Sequence, residues 1–145
     1  MPKMPVLKSS LEIDAPAIEV WRVLTSPELV REWAAAYQDG LHIRTSWREG
    51  EPVAWRTQEG DTRAEGRVAA FKPQKLLKFE YASDEGGSFP DTFEIVAKED
   101  RTWLNVTTGP LGEEQLNALK GPTEEAIKEI KSLAEESAQI HGLRR

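Results

Sequence analysis

Two histidines, His42 and His141, and no cysteine leave few routes to metal or nucleophilic chemistry. No carboxylate stands at ligand spacing from either histidine, so no metal site is expected. A Ser-His-Asp relay fails for the same reason, because His42 lies on the polar phase of its segment and would have to act as base alone. Gly86-Gly87 follows a strand-like stretch but opens no helix, so it does not make a phosphate cradle. No catalytic residue and no cofactor can be assigned from such motifs. The recurring chemistry-bearing feature is aromatic instead. Trp33, Tyr37, Trp55, Phe79, Tyr81 and Phe93, with Leu119, Thr123 and Ile127 late in the chain, have the character of a wall for a small apolar ligand. Bulky rings border such a space and a few hydroxyls orient what lies in it. The same side chains would equally serve as plain core if they touched one another and filled it. Trp21 reads as core, whereas Trp47 and Trp103 fall out of phase or at strand ends and are candidates for an exposed aromatic patch.

The charged residues divide by phase. Glu65, Glu80 and Glu94 alternate with apolar neighbours, and Arg44, Arg56, Arg63, Arg67 and Lys78 share that phase. This is the pattern of a solvated outer face with cross-strand ion pairs of about 1 kcal/mol or less each. A group turned inward by a bulge at Gly66 would instead be a lone buried charge, marked by a shifted pKa.

The elements that must position these residues follow from periodicity. Residues 6–13 alternate, with Leu7, Leu11 and Ile13 on one side, and read as a strand. Asp14 sits where a helix cap belongs and Pro16 suits a first turn, before a helix with Val20, Trp21 and Leu24 on one face. Ser26-Pro27 opens a second short helix over residues 28–36. Five or six strands then follow: 41–47, 53–58, 62–72, 75–82, 91–98 and 101–108, separated by turn signals. A loop covers 83–88. After residue 108 the period switches to that of a helix, with Pro122 expected in its first turn, the helix running to about residue 139, and residues 141–145 fraying.

At 145 residues the chain fits one domain spanning 1–145. The net charge of -6 argues against a nucleic-acid surface. No apolar run approaches the roughly 20 residues of a membrane span, and the opening Met1-Pro2-Lys3-Met4-Pro5 shows no secretory apolar region. A cytoplasmic protein, monomeric or a weak homodimer, is the expectation.

Four stretches carry a family resemblance. The first is Ile13-Asp14-Ala15-Pro16 through Val20-Trp21-Arg22-Val23-Leu24-Thr25-Ser26-Pro27-Glu28. The second is Trp33, with Ala34 where a second Trp is usual, a change expected to widen a pocket mouth. The third is Glu65-Gly66-Arg67-Val68 through Phe71, Pro73, Leu76, Phe79 and Tyr81. The fourth is Arg101-Thr102-Trp103-Leu104-Asn105-Val106-Thr107-Thr108, where Thr108 replaces a common His. Together they resemble the START-like (SRPBCC, helix-grip) superfamily, in its activator of Hsp-ninety ATPase homologue-like, polyketide cyclase-related branch. The resemblance implies an α+β helix-grip fold: a curved antiparallel sheet wrapped around a long C-terminal helix, with two short helices after the first strand. It also implies a cavity between sheet and helix, and so a small hydrophobic ligand, lipid-, polyketide- or aromatic-like, held without chemistry. The alternatives are a cyclase or hydrolase using the same cavity, which an inward ionisable group would favour, and a protein-interaction module.

Overall fold

The computed structural model describes residues 5–82, 88–99 and 101–142. Of the loop expected at 83–88, residues 83–87 lie outside them, as do the last residues, 143–145, while Ser88 already belongs to a strand that starts three residues earlier than expected. Ten elements follow in chain order: β1 (Leu7–Ile13), α1 (Ala17–Thr25), α2 (Pro27–Ala34), β2 (His42–Thr45), β3 (Pro52–Arg56), β4 (Thr62–Lys72), β5 (Leu76–Ala82), β6 (Ser88–Lys98), β7 (Arg101–Thr108) and α3 (Glu113–Ile140). The strands form one antiparallel sheet in the order β1-β7-β6-β5-β4-β3-β2. Each hairpin neighbour pairs with the next, and β1 returns to the far edge against β7, with Leu7 opposite Thr108 and Ile13 opposite Thr102.

Period-two alternation puts one face of every strand inside. Leu77, Phe79 and Tyr81 of β5, Phe89, Phe93 and Ile95 of β6, and Leu104 and Val106 of β7 are all buried. Three devices coil the sheet. One residue, Arg63, is left over where the register of β3 on β4 shifts after Trp55. A second shift lies between Val68 and Ala70 on β5. Gly66 sits between them, not in a bulge but in a close approach: a Cβ there would run into the Glu80 backbone carbonyl.

The helices cover the concave face unevenly. The long α3 packs mainly on α1, α2 and β1, while α2 also touches β2 at the opposite edge. The middle strands β4 and β5 therefore stand off from α3, and this is where a space remains. Ile127 and Ile130 of α3 are buried, with Leu133 half-buried against the same core.

Several local expectations change. Pro16 occupies the cap position of α1 itself, and neither it nor Asp14 supplies a side-chain cap. The Asp14 amide donates instead to Glu135 Oε2 of α3 at 2.8 Å, a partner 121 residues away that no local pattern could reveal. Pro122 lies inside α3, not in its first turn; the helix begins nine residues earlier, at Glu113. Its first turn carries Glu113 and Glu114, which suit the positive end of the helix dipole. His141 is the C-cap of α3 rather than part of a frayed tail. Trp47 has a positive φ of 62°, and its amide donates to Thr45 Oγ1 at 3.0 Å. That turn folds its ring inward, with centroids 6.2 Å from Phe71 and 6.4 Å from Phe79. Trp103 is half-buried. Among the described residues the large apolar side chains that are exposed are Val6, Ile18 and Ile140, so the expected aromatic patch does not form.

Candidate functional site

The space left between α3, the end of α2 and strands β3 to β7 is a cavity of about 360 Å³. Trp33 reaches it from α2, its indole fixed by donation from Nε1 to the Val23 carbonyl at 2.9 Å. The ring meets Trp55 of β3 edge-on at 5.9 Å and Phe93 of β6 at 6.0 Å. Trp55 Nε1 in turn donates to the Tyr81 hydroxyl of β5 at 2.7 Å. Tyr37, just past α2, shares a 3.0 Å hydrogen bond with Thr123 Oγ1 of α3, which closes the wall between the two helices. Burial raises the pKa of both tyrosines, and the Asp91 carboxylate adds to the rise, so both stay neutral donors.

Of the nine residues singled out in the sequence, Trp33, Tyr37, Trp55, Tyr81, Phe93, Leu119 and Thr123 border the cavity. Phe79 and Ile127 do not. Phe79 has the right strand phase, but its ring is enclosed by Trp47, Tyr81 and Phe93. The left-handed turn at Trp47 fills the room that Phe79 would otherwise face. Ile127 lies one helical turn beyond Thr123 and is absorbed into the core. Ala34 is fully buried and widens no mouth.

Other wall residues had not been singled out: Gln38, Leu41, Ala64, Phe89, Asp91, Gln115 and Ala118, with Arg63 and Thr108. Asp91 is the most consequential. It alternates with Phe89 and Phe93 on the concave face, opposite Phe79 on β5 and Thr108 on β7. Its Oδ1 accepts a hydrogen bond from Thr108 Oγ1 at 2.8 Å. Desolvation pushes its pKa from 3.8 up to about 6, against the opposing effect of that bond. The signal was present in the sequence as an acid at an inward position of an alternating strand. Arg63, assigned by phase to the outer face, borders the cavity because the extra residue at the β3–β4 shift redirects the chain there. Of the other charges assigned to the outer face, Arg67 pairs with Glu80 at 2.8 Å and Arg44, Glu65 and Glu94 are exposed, as that reading expects, whereas Lys78 and Arg56 are half-buried and Arg56 Nε has no hydrogen-bond partner among the described residues.

A shallower depression of about 220 Å³ on β1 and β7, around Lys8, Ser10 and Asn105, holds no comparable aromatic wall. No group of three or more His, Asp or Glu among the described residues is placed to hold a metal. Among the described residues no helix is long and apolar enough to cross a membrane.

A coiled seven-stranded sheet gripping a long C-terminal helix, with two short helices after the first strand, defines the START-like helix-grip class. Within it the chain belongs to the activator of Hsp90 ATPase homolog 1-like family, whose model matches residues 14–135. Solved structures agree in fold. Protein MLL2253 from Mesorhizobium loti is 16% identical, with 92% of this chain and 98% of that one covered and a TM-score of 0.76. The Aha1 dimer from Colwellia psychrerythraea is 14% identical over 91% of this chain and 97% of its own, with a TM-score of 0.74. DynU16, a protein in the dynemicin biosynthetic locus, is 18% identical over 94% of this chain and 49% of its own, also with a TM-score of 0.74. No curated protein matches the chain.

Proposed function

We propose that the protein binds a small, largely apolar, ring-bearing ligand in the cavity beneath α3. The carrying observation is the aromatic-rich wall around a half-open space of about 360 Å³, the lower end of the range of drug-sized sites. Its polar groups are few and mostly tied to each other, Tyr37 to Thr123 and Trp55 to Tyr81, which suits them to orienting a ligand. A fold neighbour from a biosynthetic locus is in keeping with a small-molecule partner. Two of the tryptophans stand in the wall, so titration with an aromatic or lipid ligand is expected to quench or shift intrinsic fluorescence. Trp55→Ala should weaken that response. A panel of such ligands that leaves the emission unchanged would refute binding.

Asp91 favours a second reading, a proton-transferring enzyme of the cyclase type in the same cavity. A carboxyl group with a pKa about 6 is suited to act as general base near neutrality. Turnover lost in Asp91→Asn while binding persists would select this reading. The dimeric state of the Colwellia neighbour supports a weak homodimer, which light scattering over a dilution series reads directly.

A further inference from the structure

Asp91 is an anion without a matched cation. Its Oδ1 takes the Thr108 hydroxyl, and its other carboxylate oxygen has no hydrogen-bond or ion-pair partner among the described residues. Asp91 is half-buried at the cavity wall, and a carboxylate partly withdrawn from water gains from a cation that reaches it. The elements around it supply no such partner. From β5 and the end of α2 come Tyr81 and Tyr37, both neutral. From β7 comes Thr108, and from α3 come Gln115 and Thr123, none of them charged. The cation of the wall is Arg63 on β4, which is exposed and makes no ion pair with Asp91.

Much of the remaining wall is made of ring systems, Trp33, Trp55, Phe89 and Phe93 together with the two tyrosines, alongside aliphatic side chains and Gln38. Aromatic faces carry the negative end of a quadrupole, so they repel an anion and attract a cation. One unmatched carboxylate inside a cage of rings is the donor set that recognises an organic ammonium. We propose that the cavity takes an apolar, ring-bearing amine, its ammonium N–H groups donating to Asp91 and its body enclosed by the aromatic wall. This rests on the ligand-binding reading above. A neutral alcohol would meet the open oxygen but leave the charge uncompensated. A carboxylic acid would have to reach Arg63 at its other end and leave Asp91 unmatched. At neutral pH Asp91 is mostly ionised, with a pKa about 6, and an aliphatic amine is protonated, so the pair forms without proton transfer. Below pH 6 the acid protonates and the preference falls by about tenfold per pH unit.

The test compares three probes with one ring system, 1-naphthylmethylamine, 1-naphthylmethanol and 1-naphthoic acid, by calorimetric titration into the intact chain. At pH 7.5 the amine should bind about 10–100-fold more tightly than the alcohol, the span of a charge-assisted hydrogen bond, and the acid most weakly. The amine's advantage over the alcohol should vanish in Asp91→Asn. It should also fall about tenfold in the unmodified protein at pH 5, where about a tenth of Asp91 is ionised, an arm that stands even if the variant folds poorly. Equal affinity for amine and alcohol at pH 7.5, or an advantage left unchanged by both the substitution and the pH step, overturns the ammonium assignment while leaving the cavity a binding site. No heat from any of the three at millimolar concentration overturns both.

Discussion

Glu19 and Asp91 are both carboxylates within the folded chain, and their surroundings are opposite. Glu19 of α1 has no accessible side-chain surface. Ser137 Oγ of α3 donates to its Oε1 at 2.6 Å, Arg22 Nη1 lies 3.1 Å from the same oxygen, and His141 Nδ1 lies 3.0 Å from Oε2. Burial alone would raise its pKa, but these hydrogen bonds and charges outweigh it and leave the pKa lowered. Asp91 has one hydroxyl partner and a raised pKa. A carboxylate met on both oxygens fastens two helices, whereas one left half-met beside a cavity is poised for something not supplied by the chain. Partner count, rather than burial, separates the two acids.

The largest effect should come from emptying the satisfied site. Glu19→Ala strands Ser137, Arg22 and His141 and should destabilise the fold by about 3 kcal/mol, read by urea denaturation. Cavity binding should be little changed, and equal loss of both would break the comparison. Next comes Asp91→Asn, with the opposite sign. The unfolded chain releases this proton near pH 3.8 and the folded chain near 6. Between those values the folded state holds more protons, so stability falls as pH rises through the window. The asparagine variant should therefore be more stable than the parent by about 1–3 kcal/mol at pH 8, with no gain at pH 4. Glu19 works the other way. Its contribution is present above the unfolded value of 4.5 and is lost as pH falls through the lowered folded value. A parent protein and an Asp91→Asn variant with parallel stability–pH curves would show that Asp91 is not strained. The smallest effect belongs to Trp55→Phe, which removes one hydrogen bond to Tyr81 and should cost about 1 kcal/mol in the same assay.

The fold was legible because alternation and the switch to helical period are properties of short windows. β4 and β7 match their expected bounds, Thr62–Lys72 and Arg101–Thr108. The aromatic wall was legible for the same reason, since phase places Trp55, Tyr81 and Phe93 inside. Contacts across long separations were not. The Glu19–His141 contact spans 122 residues and has no local signal, although Gly142, at a positive φ just past His141, marks a helix end there. Phase also misplaced Arg63, because a register shift is set by how β3 and β4 pair, not by the order of residues within either. Asp91 obeys the phase rule, but it opens its expected strand, 91–98, so within those bounds no apolar residue precedes it to mark the position as inward.

Pro122 sits about a third of the way along α3 and has no amide hydrogen to give to the carbonyl four residues before it. Gly121 beside it lowers helix propensity further. The helix is thus two rods in series with different moorings. The C-terminal rod is pinned to α1 through Ser137, His141 and the buried Ala126, Ile130, Ala134 and Ala138. The N-terminal rod carries Gln115, Ala118 and Leu119 over the cavity, and its main buried anchor is Leu116. Amide exchange in heavy water should consequently run faster over residues 113–121 than over 126–138, and an occupant of the cavity should slow the first rod while leaving the second as it was.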